Sequence, residues 1–336
     1  CLYMDPTYPL VELHRHLDGA VRLETILDLG TRYNLLLPAF DLEGLRPYVQ
    51  VTSPQPGVMA FIEKFKWMVG ILVNYDAVRR IAYENVQDVK AEGLDYVELR
   101  FSPLFMSGPH KLDPTGVVEA VIDGVNAGAR DRATRVNLIG ILSRTYGVDK
   151  ALTELQSLLA HKDHITALDL AGDEANYPAG LFSDHFKQAR SAGWHITVHA
   201  GESAGPGSIW DAIQLLGAER IGHAIHAVED PALMEYLASH RIGIESCLTS
   251  NVQTSCVAGY SSHPLRIFLN HGIPATINTD DPGISAITLP HEYNIAAPLS
   301  GLSKAQILQA QKYALEVAFL SPQEKEALIK RKATMD

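Results

Sequence analysis

Cysteine is scarce in this chain. Only Cys1, Cys247 and Cys256 occur among 336 residues, and no two of them form a Cys-x-x-Cys pair. An odd, dispersed count argues against a disulfide framework and for a reducing compartment, the cytoplasm. Long apolar runs are missing too: the longest, Trp67 to Val73, is far too short to cross a bilayer. The opening residues CLYMDPTYPLVE lack the basic and apolar regions of a secretory signal; Met4 is expected as the native start, with Cys1 to Tyr3 a remnant. Positive charge is in deficit, 28 Lys and Arg against 39 Asp and Glu, giving a net charge of −11 with no basic cluster. Such a surface repels phosphate backbones and anionic headgroups, so neither nucleic acid nor membrane is expected as a partner. Dinucleotide and P-loop glycine fingerprints are absent as well.

What is present is a globular composition, 46% hydrophobic and 20% charged, in which no linker, low-complexity tract or charge block marks a second domain. Residues 1–336 are therefore read as one domain. A chain this long buries about three quarters of its unfolded surface and needs no disulfide or metal staple to fold. Short β-rich runs alternate with helical stretches. The runs are VELHRHL from Val11, YVELRFS from Tyr96, RVNLIGILS from Arg135, ITALDLAG from Ile165, HITVHAGE from His195, ERIGHA from Glu219, GIESCLTS from Gly243 and PATINTD from Pro274. From the second onward they recur about every 24 to 39 residues, one βα unit each. Eight such units most simply close into a (β/α)8 TIM barrel; a doubly wound open sheet is the alternative. The longer first interval implies an insertion between Leu35 and about Val73, where Val58, Phe61, Ile62 and Phe65 form a helical apolar stripe. Extra helices follow the eighth strand.

A barrel carries its chemistry at the C-terminal ends of its strands. The first run ends in His14-Arg15-His16-Leu17-Asp18-Gly19. Residues i and i+2 of a strand face one way, about 6–7 Å apart, so both imidazoles can converge on one metal ion. Taken alone, the pair reads equally well as hydrogen-bonded core histidines. Three further ends carry His199-Ala200-Gly201-Glu202, Gly222-His223-Ala224 and Asn278-Thr279-Asp280-Asp281-Pro282. Burying so many imidazoles and carboxylates at one mouth is costly unless a cation or specific pairing compensates. Gly201-Glu202-Ser203-Ala204-Gly205 also fits the Gly-x-Ser-x-Gly nucleophile elbow. An elbow's helix begins at the serine, however, and here Gly205-Pro206-Gly207 intervenes. No Pro-Cys-x-x-Cys follows a His-x-Glu, as a cytidine-type deaminase zinc site needs.

The motifs HRHLDG, LAGDE (Leu170–Glu174), TVHAGE (Thr197–Glu202), RIGHA (Arg220–Ala224) and NTDDP (Asn278–Pro282) resemble, in consistent order, those of the adenosine deaminases of the amidohydrolase superfamily. The likeness runs from about Leu10 to Leu320, and LDLAGDE and IESCLTSN are similar to the bacterial branch. The resemblance implies a barrel with one zinc ion per chain, ligated by His14, His16, His199 and Asp280 with water in the remaining position. Glu202 would protonate purine N1, and His223 would orient and deprotonate the water. Asp281 would hydrogen-bond N7, the Gly172 backbone would meet N3, and Asp18 would hold the ribose 5′-hydroxyl, with His16 also bordering the substrate. Phe61 and Phe65 would belong to an apolar lid, although core packing explains them too. Binuclear relatives carry a lysine on strand four, and ITALDLAGD has none. Ala224 departs from the family's glycine, and its methyl should crowd the site slightly.

The implied chemistry is self-consistent. Displacing an amine from an aromatic carbon needs a strong nucleophile at neutral pH and a proton for the ring, which a metal and a carboxylic acid of raised pKa provide. The expected activity is hydrolysis of adenosine and 2′-deoxyadenosine to inosine, deoxyinosine and ammonia, in purine salvage, with a small purine nucleoside as partner. Adenine deamination on the same scaffold is the alternative, and a non-catalytic purine-binding protein a further one. The serine-hydrolase reading leaves His14, His16 and Asp280-Asp281 without work.

Overall fold

The structure is a computed structural model and describes residues 2–51 and 53–335. Eight parallel strands form its centre: β1 (Val11–His16), β2 (Tyr96–Phe101), β3 (Arg135–Ser143), β4 (Ala167–Ala171), β5 (His195–Ala200), β6 (Arg220–His223), β7 (Gly243–Ser246) and β8 (Ala275–Ile277). They pair in chain order from β1 to β8. A doubly wound sheet would instead reverse its order at a switch point. Side-chain and backbone bonds close the seam between β8 and β1. The His16 N–H donates to Asp280 O (2.8 Å), and the Asp280 N–H donates to His14 O (2.9 Å). Asn278 Oδ1 accepts from the Leu13 N–H (2.9 Å), and Glu12 Oε1 accepts from the Thr279 N–H (2.6 Å). The fold is the (β/α)8 barrel.

Helices of amphipathic sequence cover the outside, and their stops follow local chemistry. Helix Pro206–Leu216 ends at Gly217 in the left-handed region (φ 75°), and Gly272 (φ 72°) follows helix Leu265–Asn270. The extra C-terminal helices Lys304–Glu316 and Pro322–Ala333 each start with a capping box, Ser303/Gln306 and Ser321/Glu324, which satisfies their free N–H groups. The insertion after β1 is built of short pieces, among them Leu42–Val49, Val58–Ile62 and Lys66–Val69. Helix Tyr75–Ala91 then leads to β2.

Several strands are shorter at the mouth than their sequence patterns suggest. β5 stops before Gly201-Glu202, β7 stops at Ser246 with Leu248–Gln253 turning helical, and β8 keeps only three residues. At the ends of β5, β6 and β8 the cause lies in the backbone. Gly201 (φ 71°), His223 (φ 68°), Ala224 (φ 53°) and Asp280 (φ 68°) are all left-handed, which breaks the ladder and re-aims the chain into the mouth. Only Gly201 takes this conformation freely. An L-residue there costs about 1–2 kcal/mol. Ala224, where the family's glycine would take this conformation without cost, therefore adds backbone strain at the end of β6.

Candidate active site

β1 directs His14 and His16 to one side, β5 brings His199, and the turn after β8 brings Asp280. Their rings lie close together, with centroids 5.2 Å apart for His14–His16, 4.6 Å for His14–His199 and 5.3 Å for His16–His199. One nitrogen from each and one Asp280 oxygen fall within 4.8 Å of one another, all buried. Room for this comes from small residues: a Cβ on Gly222 would lie 3.0 Å from His14 Cε1.

The hydrogen bonds behind these rings test whether a metal fits. His14 Nδ1 meets Glu245 Oε1 at 2.8 Å, and His199 Nδ1 meets Asp169 Oδ1 at 3.0 Å. Neighbouring cations hold both carboxyls below their ordinary range, despite burial, so both are ionised acceptors and both Nδ1 atoms must donate. A neutral His14 then carries no hydrogen on Nε2. Yet Nε2 faces Asp280 Oδ1 at 3.0 Å, and His16 Nε2 approaches the same oxygen at 3.1 Å. A bare imidazole nitrogen facing a carboxylate oxygen repels it unless a cation lies between them. The donor set of three imidazoles and one carboxylate suits zinc.

Around this centre lies a cavity lined by His16, Asp18, Phe61, Phe65, Gly172, Glu202, His223 and Asp281. Glu202 sits with Oε2 3.3 Å from His223 Nε2. Burial, then the charges of Asp280 and Glu174, push its carboxyl up to about 8, so it holds a proton at neutral pH. Asp281 is buried, and burial with the neighbouring Asp280 charge raises its carboxyl well above the ordinary carboxylate range. Among the described residues its Oδ1 has no hydrogen-bond partner. Gly19 makes this placement available, because a Cβ there would overlap that oxygen. Gly172 needs its φ of 126° as well as its missing side chain, which would collide with Thr145 Oγ1. Asp18 is buried beside His16 and accepts the Ser102 N–H at 3.3 Å. Phe61 and Phe65 are buried in the inserted segment; Phe61 meets Phe65, and Phe65 meets Phe105, edge to face, and all three line the cavity, so they both pack and border the site.

A chain of hydrogen bonds fixes the tautomer of His223. The Leu265 N–H donates to His263 Nδ1 (3.1 Å), and burial keeps His263 neutral by lowering its pKa to about 3. His263 must then donate from Nε2 to Asn251 Oδ1 (2.9 Å), and the Asn251 amide N–H donates to His223 Nδ1 (3.0 Å). Burial lowers the pKa of His223 as well. Its single ring hydrogen is thus on Nε2, facing the cavity.

Sequence patterns did not reveal Glu245, Asp169, Arg100, Asn251 or His263 as contributors. The signal was there for three of them: charged residues inside strands that are buried on both faces. Arg100 links the carboxylates, donating to Asp169 Oδ2 (3.0 Å) and Glu245 Oε1 (2.9 Å). Ser203 of the Gly-x-Ser-x-Gly run is exposed, does not line the cavity, and precedes its helix by three residues. It is not a nucleophile elbow.

A (β/α)8 barrel with buried imidazoles, a carboxylate cluster and a protonated carboxyl at its strand ends defines a hydrolase of the metal-dependent barrel class. Among known proteins, the family model for adenosine deaminase matches residues 9–335, and the chain belongs to the adenosine deaminase family. It is 60% identical over 330 residues to the adenosine deaminase of Klebsiella pneumoniae, covering 98% of this chain and 99% of that one. The solved adenine deaminase of Arthrobacter aurescens is similar in fold, with a TM-score of 0.89 at 24% identity, over 97% of this chain and 98% of that one. The Arabidopsis N6-mAMP deaminase gives a TM-score of 0.84 at 25% identity, over 98% and 99% of the two chains.

The carboxylates behind the imidazoles generate one prediction. Glu245→Gln removes the charge that orients His14, and metal affinity should fall about 10- to 100-fold. Competition with a chromophoric chelator measures it; affinity equal to the wild type would refute the role.

Proposed function

We propose that residues 1–336 act as one single-domain, zinc-dependent adenosine aminohydrolase that converts adenosine and 2′-deoxyadenosine to their inosine products and ammonia. The reading is supported by the family membership, by the identity to an adenosine deaminase, and above all by one observation: a protonated Glu202 beside a buried imidazole–carboxylate cluster. His14, His16, His199 and Asp280 would hold one zinc ion per chain, whose Lewis acidity makes water nucleophilic at neutral pH. Glu202 gives its proton to purine N1, which relieves the charge that attack at C6 places on the ring. Purine N7 is an acceptor, so Asp281 can bind it only as the protonated acid, the form that its burial favours. His223 directs its Nε2–H at the attacking oxygen and orients it. To deprotonate water as well, it would first have to move its proton against the Asn251 amide.

The Gly172 backbone faces the purine N3 edge, and the Phe61/Phe65 segment covers the apolar side of the base. Asp18 lies two residues past His16, where the sugar of a bound nucleoside would project. A carboxylate there favours a hydroxyl over a phosphate, which supports a nucleoside as the small-molecule partner. The free thiols of Cys247 and Cys256 accord with a reducing cytoplasm. Among the described residues, no helix is long and apolar enough to cross a membrane.

The test is ultraviolet absorbance with purified protein on adenosine, adenine and AMP separately. Adenosine should be consumed at least about a hundredfold more efficiently than either; a preference for adenine would reverse the assignment.

Glu202→Gln is nearly isosteric and should keep the metal and the fold while kcat falls about 10²- to 10⁴-fold. A variant within threefold of wild type would remove Glu202 from the chemistry, and loss of metal would move it into the ligand set.

Asp18→Ala should lose about ten- to a hundredfold in kcat/KM on adenosine, the value of one hydrogen bond to a carboxylate, roughly 1.5–3 kcal/mol. On 5′-deoxyadenosine, which lacks the partner hydroxyl, the loss should be much smaller. Equal losses on both would assign Asp18 to the fold.

A further inference from the structure

Glu174 closes the LAGDE motif, yet nothing in the proposed chemistry uses it. Its carboxylate reaches from the turn after β4 to the turn after β5 and is buried there. Three consecutive backbone N–H groups donate to it: Gly201 to Oε2 at 2.7 Å, and Glu202 and Ser203 to Oε1 at 3.2 and 3.0 Å. The Ser208 hydroxyl, in the first turn of helix Pro206–Leu216, donates to Oε2 as well. One side chain thus holds the whole segment between β5 and its helix.

That segment needs holding. It leaves β5 through a left-handed Gly201 and contains no regular structure until Pro206. No other hydrogen-bond acceptor meets the N–H groups of Glu202 and Ser203 among the described residues. A segment tied by four bonds to one carboxylate has few alternative conformations, and Glu202 is the middle one of its three tied amides. Glu174 is itself fixed at its base, because the preceding Asp173 N–H donates to Thr145 Oγ1 at 2.9 Å and Gly172 packs against Thr145. The clamp therefore ties the β4 end of the cavity to the β5 end.

We propose that Glu174 is a positioning residue for the deamination step, holding the backbone of Glu202 so that its carboxyl meets the ring nitrogen it protonates. Its negative charge also stands close enough to Glu202 to favour the protonated form. The inference rests on the reading of Glu202 as the proton donor. Both carboxylate oxygens are used as acceptors, so an amide cannot replace them. A glutamine would turn an N–H₂ group toward either the Gly201 N–H and Ser208 hydroxyl or the Glu202 and Ser203 N–H groups, and one side of the clamp would open.

The test is a double-mutant cycle on the metal-loaded protein, combining Glu174→Gln with Glu202→Gln. Alone, Glu174→Gln should lower kcat about 30- to 300-fold, change KM less than about threefold, and leave the metal content at the wild-type value. On top of Glu202→Gln it should lower kcat by less than about threefold, because the group it positions is already gone. An equal loss in both backgrounds would show that Glu174 only supports the fold, and so overturn the proposal; so would a single variant within threefold of wild type. If Glu202→Gln itself is fully active, the reading of Glu202 fails, and the position of Glu174 is then judged by a second measurement. That measurement is amide hydrogen exchange on the unmodified protein, which also serves if Glu174→Gln does not fold. The amides of Gly201, Glu202 and Ser203 should exchange at least about a hundredfold more slowly than in a free peptide, although Ser203 is exposed. Exchange at the free-peptide rate would refute the clamp.

Discussion

Arg100 is the fixed point on which the inside of this barrel depends. Its guanidinium is fully buried and bonds to Asp169 and Glu245, the two carboxylates that hold His199 and His14. Glu245 also takes Arg220 Nε at 2.8 Å, and Arg220 continues to Glu98 at 2.6 Å. Five charges in one desolvated chain are tolerable only because each has a partner of opposite sign. Removing one member strands another, typically at about 3–5 kcal/mol. A core of leucines would fill the same volume, but it could not tell an imidazole which nitrogen to protonate. The network does so by engaging Nδ1 of His14 and His199, and it turns their Nε2 edges toward the mouth as a consequence.

The mouth repeats this logic with opposite protonation states. Asp280 is held well below the ordinary carboxylate range despite its burial, whereas burial and the Asp280 charge push Asp281, one residue later, and Glu202 well above it. Neighbouring carboxyls pushed apart in this way divide the labour: one is an acceptor for a cation or donor, and the other two can give hydrogens to ring nitrogens. The left-handed turn at Asp280 makes the division feasible, since it sends adjacent side chains toward the imidazole cluster and toward the cavity. Left-handed His223 and Ala224 do the same at β6. Three of the left-handed non-glycine residues, His223, Ala224 and Asp280, thus stand at the strand ends that form the mouth.

Much of this was legible in the linear sequence, for identifiable reasons. Eight apolar runs at regular spacing dictate the βα repeat, because strands buried on both faces must be short, apolar and separated by amphipathic helices. His14 and His16 point the same way because the period of a strand is two. The helix stops at Gly217 and Gly272 follow from the conformational freedom of glycine. The ordered motifs, read together, led to the family.

Other features required the tertiary structure. The ends of β7 and β8 look like continued strand in sequence, but the chain turns helical at Leu248 after β7 and left-handed at Asp280 after β8. Glu245 and Asp169 are single charged letters in apolar runs until the barrel brings Arg100 between them. Glu174 is 27 residues from Gly201, and Asn251 is 28 from His223, separations that local pattern cannot bridge. The tautomer of His223 depends on a backbone N–H at Leu265, a group present at almost every position and informative only once the fold aims it. The sequence by itself determined which chemical groups reach the mouth, since strand periodicity and local turn preference are short-range properties. Which of those groups carry protons was decided by the tertiary structure alone, because charge pairing and desolvation depend on neighbours distant in the chain.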